Sequence, residues 1–374
     1  MIFGIVTHAV HKLKGGKIYA YEPYVREMNL WAKSIEKIII LCPISDGSIS
    51  KIETHYLHEN IEIIDITNFN IISIKNILNT ILVVPTILKK IFLVAKKSDH
   101  IHLRCPGNIG LLGCFVQIFF PFKKKTVKYA GNWDPKSKQP FTYKLQKWIL
   151  SNSLLTRNCK VLVYGKWENQ SKNILPFFTA SYFEKEIIKI PKKNFLSTIR
   201  FIFVGTFSQG KRPMMSVKVV EILKNKNYNV RLDMYGNGVE FTVIKEYIKS
   251  KNLNSIIFLH DNQPKEIVKQ AFQKAHFLIF NSQSEGWPKV VAEAMFWRCL
   301  PISSNVSCIS YMLDNGNRGE IVDVNIDEIE LSDLIVANLE NESSYQQKVL
   351  KAQNWSQKFT LDKFEKEIQK LLKE

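Results

Sequence analysis

Short apolar runs alternate with stretches of helical periodicity, twice over, and that alternation leaves few folds open. In the first half the runs are 2–6, 37–43, 61–66, 126–130 and 160–164. In the second they are 200–204, 231–235, 256–259, 277–280 and 300–304. Runs this apolar suit parallel strands covered by helices on both faces. No repeat with a period of roughly 20–50 residues is present, so a solenoid or propeller is excluded. The reading is two doubly wound α/β domains. Residues 184–197 break into lysines, Pro191 and polar residues, which marks a linker. The boundary is set at residue 195, giving domains 1–195 and 196–354 and a charged amphipathic tail helix from Trp355.

A chain of 374 residues is long for one core and comfortable for two. Apolar content of 45% and charged content of 23% are those of a soluble globular protein. Residues 1–6 read as a first strand and not as a leader. The longest apolar run, 109–122, is too short to span a bilayer and is broken by Gly113, Gln117 and Pro121. The six cysteines show no CxxC pair and no metal-ligand spacing, so they read as buried free thiols of a reducing compartment. The net charge of +18 admits nucleic acid, an anionic membrane or a phosphorylated substrate as partner. Lysine is spread along the whole chain, so only clusters carry meaning.

The sharpest motif is N-S-Q-S-E-G-W-P-K-V-V-A-E-A-M at 281–295. It follows the apolar run 277–280. Glu285, Gly286 and Trp287 turn the chain. Pro288 suits the first position of a helix, where its missing N–H costs nothing. Val290, Val291, Ala294 and Met295 then supply an apolar helical face. The start of such a helix favours a phosphate. Glu285 at its mouth and Glu293 further along can accept hydrogen bonds from hydroxyls on either side of one. Spacing alone equally allows two ordinary helix carboxylates, one aiding the dipole and one in a salt bridge.

Other loops have the same outline. After 200–204 come Gly205, Lys211, Arg212 and a helix from Met214, which is either a phosphate site or a solvated basic turn. After 2–6 come Gly15, Gly16 and a helical pattern from Tyr19, which reads as a ligand-approach loop or a surface turn. It lacks the dinucleotide fingerprint. His102 and Arg104 end a strand at 99–104, and Asn132, Trp133 and Asp134 fill the loop after 126–130, so these are site candidates. Residues 71–97 carry a helical apolar stripe at 71, 74, 77, 78, 81 and 82 with interspersed lysines. Such a segment either lies on an anionic membrane or packs into its domain.

The string S-E-G-W-P-K-V-V-A-E-A-M, with E-x7-E inside it, resembles the signature of the family-4 retaining glycosyltransferases (bacterial glycosyl transferases group 1). That resemblance implies the GT-B fold, two Rossmann-like parallel-sheet domains facing a cleft. It implies an acceptor in the N-terminal domain, a nucleotide-diphosphate sugar in the C-terminal domain, and a tail helix (355–374) packed back on the N-terminal domain. Donor contacts would come from Gly15, Gly16, Gly205, Lys211, Arg212, Gly236, Glu285, Gly286, Trp287, Pro288, Lys289, Val290 and Glu293. Lys211 matches the family's lysine, while Thr206 stands where the family has arginine, a place Arg212 would cover. Gly236 opens a G-N-G turn similar to the family's G-D-G. Gly131-Asn132 replaces a family His-Gly, so Asn132 and Asp134 become the catalytic candidates of the N-terminal domain, beside Glu285, Lys211 and Arg212. His102, Arg104 and Trp133 would meet the acceptor.

No D-x-D stands in a strand-end loop, so no metal and no cofactor are expected; the basic residues would neutralise the leaving diphosphate. The implied acceptor is a glycan or a polyprenyl-diphosphate-linked sugar of a bacterial cell-envelope polysaccharide. The implied location is the cytoplasm, at the inner face of the membrane. A nucleotide-sugar 2-epimerase of the same fold is the nearest alternative. A non-catalytic basic nucleic-acid-binding protein is the other, though no recognised RNA or DNA module is present.

Overall fold

The structure, a computed structural model, describes residues 1–66 and 74–373, with 74–82 in backbone only. The chain divides into two compact units, 1–178 with 364–374 and 179–363. The division falls earlier than residue 195, because the intervening segment is packed on the second unit. Tyr182 lies against Phe296 and Trp297, with ring centroids 4.9 Å apart in both pairs. Lys193 Nζ donates to the carbonyls of Phe272, Ala275 and Trp297. Lys193, read from sequence as part of a linker, is an anchor here.

The first unit is built on a seven-stranded parallel sheet. Its spatial order is Ile174–Pro176, Cys159–Val163, Lys124–Tyr129, His100–Cys105, Ile2–Val6, Lys37–Cys42 and Ile61–Asp65. Val6, Leu41, Ile101, Leu103, Val127 and Val161 form one buried cluster with Ile91 and Val94 of the helix Ile74–Lys97. Each such side chain, fully buried, contributes roughly 1.5–3 kcal/mol. That helix therefore turns the apolar face of its second half inward. The stripe from 71 to 82 lies outside the described side chains. The six cysteines are all buried and free. Among the described residues no helix is long and apolar enough to cross a membrane.

One local expectation is corrected. Gly15 and Gly16 do not lead into a helix. Lys12–Lys14 and Lys17–Tyr21 pair antiparallel across them, and Glu53–His55 adds a third strand. Both glycines have positive φ (57° and 71°), the geometry of a two-residue hairpin turn. The helix begins only at Glu22, with a proline in its first turn. The strand Ile174–Pro176 is an addition too short and too irregular to be read from sequence.

The second unit holds a six-stranded parallel sheet. The order is Ile257–Leu259, Val230–Tyr235, Ile199–Val204, Phe277–Phe280, Leu300–Ser304 and Glu320–Val322. Phe201, Phe203, Leu232, Met234, Phe277 and Ile302 make its core with Val217, Val220, Leu331 and Ile335. The helix Glu328–Glu340 starts at an Asp327 cap, whose carboxylate accepts from the Ile329 and Glu330 N–H groups. The tail helix is Leu361–Lys373, not one beginning at Trp355, which lies in the last turn of the preceding helix Glu342–Ser356. Its last part belongs to the first unit, where Phe364 packs edge-on against Phe177 and Phe178.

Candidate functional site

Numbered along the chain, both sheets run 3-2-1-4-5-6, with a seventh edge strand in the first unit. The order reverses between the first and fourth strands, and ligands of such sheets bind outside the carboxyl ends of those two. In the second unit they are Ile199–Val204 and Phe277–Phe280, so the two loops singled out above, 205–213 and 281–288, emerge side by side.

The loops are fastened to each other. The Gln283 N–H donates to the Gly210 carbonyl at 2.8 Å, and Ser282 Oγ reaches the same oxygen at 3.4 Å. Lys211, in a short 3-10 turn, forms an ion pair with Glu285 and lies 5.2 Å from the Phe280 ring centroid. Arg212 has a left-handed backbone (φ 49°) and turns its guanidinium to the Val324 carbonyl. The Gly205 end is held from the other side: Phe207 N–H donates to Asn237 O at 3.0 Å, and Glu240 N–H to Phe207 O at 3.0 Å. A Cβ on Gly236 would overlap Gly205 O, and one on Gly238 would overlap Phe207 O. The G-N-G turn is thus needed for close backbone approach.

On the other loop, the Gly286 carbonyl accepts from Ser307 Oγ at 2.7 Å. Trp287 is buried, its ring stacked toward Trp355. Pro288 caps the helix Lys289–Phe296 and is not its first residue, a shift of one position from expectation. Lys289 and Val290 open that helix, and the Val291 N–H donates to the Pro288 carbonyl at 3.0 Å. Glu293, one turn in, accepts a hydrogen bond from Ser181 Oγ.

Asn281 was singled out only as the head of the stretch. The residue is 2% exposed, and among the described residues neither its carboxamide oxygen nor its nitrogen has a hydrogen-bond partner. A buried polar group left unmatched is costly, and such groups gather where a ligand completes them. The one signal in the sequence is an amide directly after four apolar strand residues.

Residues 184–355 match the family described as Glycosyl transferases group 1. Those residues are a group 1 glycosyl transferase domain. CapH of Staphylococcus aureus, a capsular polysaccharide biosynthesis glycosyltransferase, is 31% identical over 232 residues, covering 58% of this chain and 63% of CapH. The poly(glycerol-phosphate) alpha-glucosyltransferase of Bacillus subtilis is 25% identical over 46% of this chain and 25% of its own. The chain thus spans less than two-thirds of the length of these relatives.

Among solved structures, HepE of Anabaena with UDP and glucose superposes at a TM-score of 0.70 with 13% identity, covering 100% of this chain and 99% of HepE. Sucrose-phosphate synthase of Thermosynechococcus elongatus does so at 0.68 with 15% identity, covering 100% and 98%. The fold is GT-B, with two Rossmann-like units. The group 1 domain contains the Lys211–Glu285 pair, Asn281, Glu293 and the G-N-G turn.

The first unit has its own point of reversal, between Ile2–Val6 and His100–Cys105. Arg104 lies near the strand end, 3.4 Å from the buried Glu27 carboxylate and over the Tyr24 ring. His8, two residues past the first strand, approaches Gly107 so closely that a Cβ there would lie 3.1 Å from the imidazole Nδ1. His102 and Trp133, expected to meet an acceptor, are core residues instead. His102 sits mid-strand, fully buried, sharing a 2.8 Å hydrogen bond with Thr126 Oγ1, and burial pushes its pKa well down. Trp133 donates its indole N–H to Gln170 at 2.9 Å and packs edge-on against Tyr129. Asn132 and Asp134 both accept backbone N–H groups two residues on, at 2.9 and 2.8 Å, and so shape their own loop. Gly15 and Gly16 stand exposed at the hairpin tip.

Proposed function

We propose that this chain is a glycosyltransferase that moves a sugar, with retention of anomeric configuration, from a nucleoside-diphosphate sugar. The acceptor is a glycan or a polyprenyl-diphosphate-linked sugar of a bacterial envelope polysaccharide. The observation that carries this reading is the Lys211–Glu285 ion pair on two fastened loops at the carboxyl edge of the second sheet. It agrees with the function named for CapH and with the UDP and glucose present in the HepE structure.

In this reading the donor diphosphate takes the Lys211 ammonium from Glu285. The freed carboxylate then accepts hydrogen bonds from the sugar hydroxyls. Lys211, Arg212 and the start of the helix Lys289–Phe296 stabilise the negative charge that grows on the departing diphosphate. This basic set replaces a metal ion. Gly205, Gly236, Gly286, Trp287 and Pro288 shape the donor pocket, and Glu293 receives the ribose. The acceptor is held by the first unit near Arg104, with Asp134 tested as a base. The leaving phosphate itself assists deprotonation of the acceptor. The enzyme works at the inner face of the cytoplasmic membrane.

A thermal-shift screen of UDP, GDP and ADP and their sugar conjugates, with EDTA present, tests this reading. Ligand that binds only the folded state raises the melting temperature by mass action. A selective rise with one nucleoside diphosphate is expected. No rise with any of them at millimolar concentration overturns the proposal, and a rise that requires added Mg2+ overturns its metal-independent form.

A further inference from the structure

The amino ends of the first unit's strands carry a surface that the transfer chemistry does not use. Two loops there are tied into one rigid edge. Gln117 Nε2 donates to the Leu155 carbonyl at 3.1 Å and to Thr156 Oγ1 at 3.2 Å. Asn158 Nδ2 donates to the Phe122 carbonyl at 3.1 Å, and the Lys125 N–H to the Asn158 carbonyl at 3.0 Å. This edge holds Phe119, Phe122 and Leu154 out in water, 73%, 91% and 71% exposed. Loops held this firmly cannot fold such side chains away.

Beside them is a concavity of about 770 Å³. Lys124, Lys125, Arg157, Lys160 and Lys172 line it, and among its described lining residues there is no carboxylate. Apolar side chains projecting next to a one-signed basic field are the two halves of an interfacial membrane site.

We propose that this edge docks the protein on an anionic bilayer, Phe119, Phe122 and Leu154 entering the acyl boundary while Lys124, Arg157 and Lys172 meet lipid phosphates. A small soluble anion would use the cations and leave the three apolar side chains in water. A second copy of the chain would bring two basic fields together. The bilayer alone satisfies both halves. The surface is independent of the proposed transfer reaction, and it is separate in sequence from the basic stretch 71–97.

The test is co-sedimentation of the full chain with vesicles of phosphatidylcholine alone or of equal parts phosphatidylcholine and phosphatidylglycerol. Binding to the mixed vesicles only, released by high salt, is expected. Lys124→Ala with Arg157→Ala should lower the partition coefficient roughly 25-fold, about fivefold for each cation removed. Phe119→Ser with Phe122→Ser should lower it at least about tenfold at unchanged salt. All four side chains are exposed, so melting temperatures should stay at the parent value, which separates lost docking from lost folding. Absence of binding to the mixed vesicles overturns the proposal. So does binding that both double variants retain. A melting temperature raised by inorganic phosphate without vesicle binding would make the concavity a soluble-anion site. A dimer that Phe119→Ser with Phe122→Ser dissolves, again without vesicle binding, would make the edge a self-association surface.

Discussion

Lys211 and Glu285 lie 74 residues apart in the chain, on loops that leave two neighbouring parallel strands, and their charged ends meet. The ammonium and the carboxylate neutralise each other. Under the proposed function an incoming diphosphate competes with that carboxylate for the same ammonium, and its binding would set the carboxylate free.

Glu285→Ala should keep nucleoside diphosphate binding, or tighten it slightly, because the competitor for Lys211 is gone. Sugar transfer should fall at least about 100-fold, the scale of losing a well-placed group that acts in the transition state. Calorimetry with the diphosphate and turnover with the sugar conjugate separate the two effects. Unchanged turnover would remove Glu285 from the chemistry.

Lys211→Ala should act in the opposite sense. A charge-assisted hydrogen bond is worth about 1.5–3 kcal/mol, so diphosphate affinity should drop roughly 10- to 150-fold. An unaltered dissociation constant would show that the ammonium stays with Glu285 when ligand binds.

Asn281→Leu removes a carboxamide that has no hydrogen-bond partner among the described residues. Replacing an unmatched buried amide by an apolar group of similar size should leave the melting temperature equal or higher. Donor affinity should fall if the amide is completed by ligand. A variant that is markedly less stable would mean that Asn281 has a structural partner such as a buried water.

Gly236→Ala places a Cβ on the Gly205 carbonyl, at a residue whose φ is 133°. The 205–213 loop would have to move, so a loss of at least about 2 kcal/mol in unfolding free energy is expected, with weaker diphosphate binding. A denaturant titration measures the first and calorimetry the second. Parent-like values for both would show that the turn can relax.

Lys128 is fully buried, its ammonium donating to the Phe178 carbonyl and flanked by the rings of Tyr164 and Phe177. Burial lowers its pKa from 10.5 to about 7. Between those values the unfolded chain keeps a proton that the folded chain has lost. Unfolding there takes up a proton, so this residue makes stability rise with pH across that window. Lys128→Met lacks the titration. Its stability relative to the parent should be most favourable near pH 7 and should decline toward pH 10. A constant difference, read from urea midpoints, would show that Lys128 does not titrate in this range.

The strands were legible because parallel strands buried on both faces leave continuous apolar runs, as 37–43 and 277–280 show. The fastened pair of loops was legible in its residues, since a strand, a glycine turn, a basic or acidic side chain and a helix start form a compact local pattern. Long-range partners were not: nothing near Glu293 announces Ser181, and nothing near Lys211 announces Glu285. Gly15–Gly16 was misread because the same dipeptide serves a phosphate loop and a hairpin turn, and only Glu53–His55, distant in sequence, settles which. His102 and Trp133 were placed at a site because strand ends were counted too early. The strand runs on to Cys105, and Trp133 folds back on Tyr129.

The second unit is one unbroken segment, while the first is made of residues 1–178 and 364–374. Phe364 and the fully buried Ile368 belong to the later piece. On a translating ribosome the first unit therefore lacks its last helix until the whole of the second has emerged. The second unit has all its own residues in hand first, so the order in which the units become complete runs against their order along the chain.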